Sequence, residues 1–438
     1  MSDAPSTRTP LPEGTIPVAA ALLIAGIATY AFFTVGTWAV GGKDEFKPIS
    51  SLWFATFALA PGFFLPLEQE LGRALAHRRA VGDGGRPVVR RIVLLGAVLV
   101  TVVVVGILAA SPLITAEFFD GSWWMLAALV CSFAAYAPAH LARGICSGSG
   151  RFREYATVMG ADGVVRIVMC LALAVVGVSA AAAYGFAVAL APLAGVTIVL
   201  ARGRLRTEPG PPATWPEVTP NLGWLLLGSV FAATLLNAGP LATTLLGSAT
   251  ESARISEFAY GVLLARIPLF MFQAVQAALL PRLSRLAARG ELDEFRRGLG
   301  QLLAVVIGVG VVGTAGAFLF GPYVLELVFD ADLTGRTLAM LALGSACYMM
   351  ALALAQAVIA LKGHALVSVG WSAGVVAFVL TTWLASDDLF RRVEIGLLVA
   401  SATAMVAFAL ALRQRLAAGA VPDDGSVLEA LMDQPLEG

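Results

Sequence analysis

Charge is scarce in this 438-residue chain: Lys, Arg, Asp and Glu make up 13% of it, and 29 basic side chains cancel 29 acidic ones at pH 7. No basic stripe forms, so the phosphate-neutralising surface that nucleic-acid binding requires is missing and no nucleic-acid partner is expected. Cysteine is sparser still, with four residues. Cys131, Cys146, Cys170 and Cys347 lie in or beside apolar runs without CxxC spacing, which excludes a disulfide framework and leaves them as small hydrophobes. The three histidines, His77, His140 and His364, are too scattered to define a metal site, so no metal is implied. No Walker sequence appears, no long extramembrane stretch could hold a catalytic domain, and no acid, base or His pair recurs at a spacing suited to chemistry. The chain therefore reads as a non-enzyme, with no cofactor and no bound ATP.

What the chain has instead is apolar surface. Hydrophobic residues reach 58% and the mean hydropathy is +0.84, more than one water-soluble core could bury, so lipid is part of the solvent. A bilayer core takes about 20 apolar residues per helix, and twelve charge-poor windows of that length can be marked. They predict an all-α polytopic membrane protein of two six-helix bundles. Residues 1–17 form an N-terminal tail, 18–201 the first half and 202–222 a linker rich in proline; 223–412 form the second half and 413–438 a C-terminal tail. Spans five and six are divided only by Gly177-Val178-Ser179, and span eight is placed at 257–280. The loops after the even-numbered spans carry most of the Lys and Arg, Arg78, Arg79, Arg285 and Arg289 among them. By the positive-inside rule both termini face the cytoplasm of a cell-membrane protein.

The halves repeat. Pro112, Phe119 and Asp120 match Pro322, Phe329 and Asp330 at identical spacing, and Gly82-Asp83 matches Gly290-Glu291. Pro61-Gly62-Phe63-Phe64 matches Pro268-Leu269-Phe270-Met271, Gly150 pairs with Gly363, and Gly163-Val164-Val165 with Gly374-Val375-Val376. Six spans per unit put both halves in the membrane in the same sense, with a pathway between them.

Ionisable groups inside the spans are few, and each costs about 2.5–3.5 kcal/mol at the bilayer centre on insertion scales, so each should face a partner or a wet cavity. Arg266 in span eight and Arg166 in span five fall near mid-depth, and a guanidinium fork suits a phosphate because it donates two parallel hydrogen bonds. Two readings fit Arg166. It contacts an anionic substrate, or it is neutralised by Asp162 one helical turn earlier. Asn237 in span seven is read either as a substrate contact or as an interhelical hydrogen bond. Glu68 and Glu70 close span two beside Arg73, where snorkelling or a loop ion pair accounts for them. Pro61, Pro240 and Pro268 can loosen their helices.

Taken together these residues resemble the multidrug, oligosaccharidyl-lipid and polysaccharide flippase superfamily, and within it the Wzx-type polysaccharide-biosynthesis flippases. The resemblance rests on the two six-helix halves, Gly321-Pro322 leading to Phe329-Asp330, Arg143-Gly144 followed by Gly150-Arg151-Phe152, and Leu280-Pro281-Arg282 with Gly290-Glu291. It implies a MATE-like fold that moves a polyprenyl-diphosphate-linked glycan from the inner to the outer leaflet. It also implies membrane lipid, a lipid-linked glycan and envelope glycan biosynthesis proteins as partners. Cationic cavity residues in span eight of related flippases match Arg266 in position. A drug or cation antiporter of the same superfamily is the alternative, although it relies on a carboxylate in span one or span seven and neither span has one. A membrane-embedded glycan polymerase or a scaffold is the alternative of another class.

Overall fold

A backbone crossing hydrocarbon must satisfy its own hydrogen bonds, and the charge-poor windows do so as helices. The computed structural model describes residues 15–219, 222–269 and 290–417, with Phe272, Leu283, Leu286 and Ala287 between the last two stretches. The first half contains α1 (Thr15–Val40), α2 (Lys43–Val81), α3 (Arg86–Ala109), α4 (Ser111–Phe118), α5 (Trp123–Gly148), α6 (Phe152–Val176) and α7 (Ala181–Ala201). The linker holds the one-turn α8 (Trp215–Val218). Then follow α9 (Leu222–Leu246), α10 (Ser252–Ala265), α11 (Leu292–Phe329), α12 (Gly335–Ala360), α13 (His364–Leu384) and α14 (Leu389–Ala417). Among the described residues 11 helices are long and apolar enough to cross a membrane, and no strand occurs. Span eight is described only through α10 and the few residues after it. The expected tails fall mostly outside the described residues, as do Phe270, Met271, Leu280, Pro281, Arg282, Arg285 and Arg289.

Spans five and six part where the sequence allows it. Gly177 takes a left-handed conformation (φ 78°), its N–H bonds to Ala174 O, and Val178 N–H bonds to Leu173 O, which closes α6 with a Schellman cap. The same cap recurs at repeat-matched places. Gly82-Asp83 ends α2 and Gly290-Glu291 follows the residues after span eight, each with the paired bonds to the preceding turn. Asp120 and Asp330 both adopt positive φ, 47° and 49°, just after a buried phenylalanine. One pairing shifts. The left-handed residue that answers Gly150 (φ 71°) is Lys362 (φ 58°), with Gly363 following it, so the second half is one residue out of the register read from glycine alone. Pro112 and Pro322 also differ in effect. The first lies just after the break that separates α3 from α4, whereas α11 runs through the second.

Helix pairings recur as well. In the first half α1 packs on α6, α5 on α7 and α6 on α7; in the second α9 packs on α13, α12 on α14 and α13 on α14. Gly163 explains one such pair: a Cβ there would stand 2.8 Å from Ala25 Cα of α1. Its counterpart Gly374 meets α9 in the same way, with Leu235 Cδ2 at 3.0 Å. Small residues let these backbones approach, which is how helices gain packing energy when no water drives them together.

The long α2 is the shared element. It packs on α5 of its own half and on α9 of the other, and Gly62 lies so close to α9 that a Cβ would meet Val230 Cα at 3.0 Å. Near its start the halves are stitched together. Lys43 pairs with Glu257 at 3.0 Å and also donates to Asp330 O, Ser256 Oγ donates to Lys43 O at 2.7 Å, and Thr37 Oγ1 lies 2.5 Å from Tyr260 OH. Tyr260 stacks on Phe329 with ring centroids 4.9 Å apart, behind that polar seam.

Candidate functional site

Arg266 lies at the break in span eight. Pro268 has no N–H to give the carbonyl four residues back, and its ring crowds that carbonyl, so α10 stops at Ala265 and Arg266 becomes its C-terminal cap. The continuous span at 257–280 expected from hydropathy is therefore interrupted at Arg266 itself. Its side chain is 6% exposed. Nη1 donates to Asn237 Oδ1 at 3.0 Å, Nη2 donates to Leu236 O, and the guanidinium carbon sits 5.3 Å from the Phe54 ring centroid.

The Leu236 carbonyl is free to accept because of Pro240. A residue with an N–H at position 240 would take that carbonyl in the α9 ladder, and proline cannot. Asn237 is oriented from the other side, its Nδ2 donating to Ala233 O at 2.8 Å. One proline and one asparagine thus turn a stretch of α9 into an acceptor pair for the guanidinium of α10. Pro240→Ala should return Leu236 O to the helix ladder and leave Arg266 with Asn237 alone. In a fully folded protein, faster hydrogen exchange at Arg266 with unchanged helicity is the expected measurement, and an unaltered arginine signal would count against this role.

Among the described residues no carboxylate forms an ion pair with Arg266. Beside it lies a cavity of about 30 Å³ bordered by Leu236, Ser345, Tyr348, Leu397 and Ser401. A volume of that size takes a water molecule or two. Tyr348 OH is held by Ala232 O at 3.0 Å, and Tyr30 OH of α1 donates to Leu263 O at 2.7 Å, so both halves brace this corner.

Arg166 has the opposite environment. Asp162 Oδ1 lies 2.5 Å from Nη2, Tyr136 OH accepts from the same nitrogen at 3.2 Å, and the Trp53 and Phe57 rings lie 4.6 and 5.4 Å away. The ion pair that one of the two readings expected is present. The arginines do not share a cluster. They approach different faces of the same helix: Arg166 covers Trp53 and Phe57, and Arg266 covers Phe54.

Glu68 does not snorkel. It is 5% exposed and accepts from Arg143 Nε at 3.0 Å and from Tyr155 OH at 2.9 Å, while His140 Nδ1 lies 2.8 Å from it. The reason is the length of α2: the helix continues past Glu68 to Val81, so this carboxylate sits within the bundle between α5 and α6 and has no free path to water. Glu70 pairs with Arg73 at 2.8 Å, as expected. The Glu68 cluster was hidden in the sequence because Glu68 lies 72, 75 and 87 positions from His140, Arg143 and Tyr155, on a different helix; the i, i+3 spacing of His140 and Arg143 was its only local sign.

No family model matches the sequence. Two curated relatives, the uncharacterized proteins Rv1510 and Rv3630 of Mycobacterium tuberculosis, are each 26% identical, over 327 and 341 residues. These matches cover 72% of this chain and 72% of Rv1510, and 74% of this chain and 75% of Rv3630. The similarity to solved structures is broader. A multidrug resistance MATE family transporter of the MOP superfamily, in an inward-facing conformation, superposes with a TM-score of 0.69 at 15% identity, covering 92% of this chain and 98% of that one. The Vibrio cholerae MATE transporter VcmN in its bent form gives 0.64 at 15% identity, covering 93% and 99%. The class follows: this is an all-α multi-pass membrane protein. Its particular fold is that of the MATE transporters of the MOP superfamily.

Proposed function

We propose that this chain is a transporter that carries a polyprenyl-diphosphate-linked glycan precursor across the cell membrane by alternating access, with Arg266 as the cation that meets the diphosphate. The observation that carries this reading is Arg266 itself, a buried guanidinium held by two neutral oxygens with no carboxylate paired to it among the described residues. A charge kept in that state bears an insertion cost that an anionic ligand would offset. Asn237 serves as its orienting partner, while Arg166, already neutralised by Asp162, supports the helix wall next to the pathway. Membrane lipid and envelope glycan biosynthesis proteins are its proposed partners.

Drug or cation antiport is the second reading, favoured by the buried carboxylate of Glu68 and the partly buried one of Asp162. Against it, α1 and α9 contain no Asp or Glu, so the acid that such exchange would place in span one or seven is missing. Reconstituted vesicles separate the two. Inversion of a fluorescent short-chain polyprenyl-diphosphate sugar, without proton-driven efflux of a cationic dye, is the expected result. Dye efflux without lipid inversion would replace this reading by antiport.

Both termini are proposed to face the cytoplasm. In a background lacking the native cysteines, Ala80→Cys should resist an impermeant thiol reagent in intact cells and react after lysis. Labelling in intact cells would reverse the topology.

The stitched face near Lys43 would then be the outer gate. Lys43→Ala removes the pin between α2, Glu257 and Asp330, so Ala259→Cys, buried behind it, should react several-fold faster with reagent added to that face. Equal rates with and without Lys43 would remove the latch.

A further inference from the structure

Away from the arginine site, a polar cleft of about 390 Å³ opens at the end of the bundle where α2 stops and α3 begins. Three separate segments meet there: Arg79 comes from the end of α2, Arg151 from the turn between α5 and α6, and Arg206 from the inter-half linker. Their meeting depends on how tightly the linker is fastened. Arg78, 4% exposed, binds Glu217 at 2.5 Å and also donates to Gly84 O at 3.0 Å and Pro211 O at 2.8 Å. Arg86 N–H donates to Glu208 O at 2.9 Å.

Two sets of arginines in this half differ in their partners. Arg73, Arg78, Arg143 and Arg166 each hold a carboxylate at 2.5–2.8 Å. Around the cleft, Arg79, Arg86, Arg151 and Arg206 hold none within ion-pair distance among the described residues. Instead Arg79 Nη1 donates to Ser149 O at 2.8 Å, Arg86 Nε to Thr207 O at 3.4 Å, and Arg151 Nη1 to Arg206 O at 3.3 Å. Backbone carbonyls fix Arg79, Arg86 and Arg151 without cancelling their charge. Asp83 and Glu208 also line the cleft and oppose the arginines, and nearby Arg204 is paired with Glu154 at 3.5 Å.

The cleft also has a defined depth. Two to three turns further along α3, Val93, Leu94 and Val98 are exposed by 43%, 57% and 53%. In a membrane helix such residues face acyl chains, which puts the start of α3, and the cleft lined there by Gly84 and Gly85, at headgroup level. Basic pockets at that level, next to an apolar flank, suit a lipid phosphate.

We propose that this cleft binds the phosphate of an anionic phospholipid, with its acyl chains lying along α3. The site stands apart from Arg266 and is independent of what the protein transports. Native mass spectrometry of the purified full chain with phosphatidylglycerol, phosphatidylcholine or soluble glycerol phosphate tests it. Phosphatidylglycerol should be retained several-fold better than phosphatidylcholine, and less so as salt is raised. Arg79→Gln with Arg206→Gln should abolish that preference, whereas the Lys pair at the same positions should keep most of it. Arg296→Gln, at an exposed arginine of the other half, should leave it intact. Equal retention of both lipids, an unchanged preference in the glutamine variant, or displacement by glycerol phosphate at equal concentration would overturn the assignment.

Discussion

Arg266→Ala is expected to stop lipid inversion while leaving a folded, inserted protein. A hydrogen bond to a charged group is worth about 1.5–3 kcal/mol, so losing a two-pronged contact to diphosphate should reduce transport by on the order of 100-fold or more. Stability moves the other way in part. Removing the cation relieves an insertion cost of about 2.5–3.5 kcal/mol, against which the change leaves Leu236 O and Asn237 Oδ1 short of a donor at about 1–3 kcal/mol each. These effects oppose one another, so a melting temperature close to that of the parent is expected. Arg266→Lys should recover part of the transport, because a point charge replaces a fork. Initial rates in reconstituted vesicles, set against thermal unfolding of the same preparations, provide the measurement. An alanine variant that inverts lipid at the parent rate would take Arg266 out of the site.

The largest loss of stability is expected at the other arginine. Asp162→Asn leaves Arg166 charged, 2% exposed and without its carboxylate, and breaking a buried pair from one side costs about 3–5 kcal/mol. The amide introduced by that substitution would still offer an oxygen, and the Trp53 and Phe57 rings would still attract the cation, so the lower end of that range applies. Arg166→Leu alone strands Asp162 less severely, because its side chain is 18% exposed and Tyr136 OH lies 3.4 Å away to donate to it. The double variant removes both charges and should be more stable than Asp162→Asn. Insertion level and unfolding of the two single variants and the double give the coupling energy, and lipid inversion by the double variant gives the function. If the double variant folds and transports, Arg166 is confined to the wall; if it folds and does not transport, Arg166 rejoins the substrate site. A double variant no more stable than Asp162→Asn would refute the pair as a neutralisation.

Hydropathy was enough to determine the class of this protein, because a bilayer demands long apolar helices and the demand is written locally. The division at Gly177 was legible for a similar reason: a left-handed cap needs glycine, and the need is met within one turn. The i, i+4 spacing of Asp162 and Arg166 likewise brought both onto one helical face before any tertiary contact was known. Glycine alone misled at Gly363, since Lys362 takes the left-handed cap and the register moves by one residue. Whether Arg266 had a partner could not be read from its own span, because the oxygens that hold it come from α9 and one is free only through the missing N–H of Pro240. Glu68 was misjudged for the same physical reason. Its burial depends on α5 and α6 closing over the long α2, and its partners His140, Arg143 and Tyr155 come from distant stretches of chain. Periodicity and caps are short-range and survive in the sequence, whereas the partner of a buried charge is settled only when separate helices pack and exclude water.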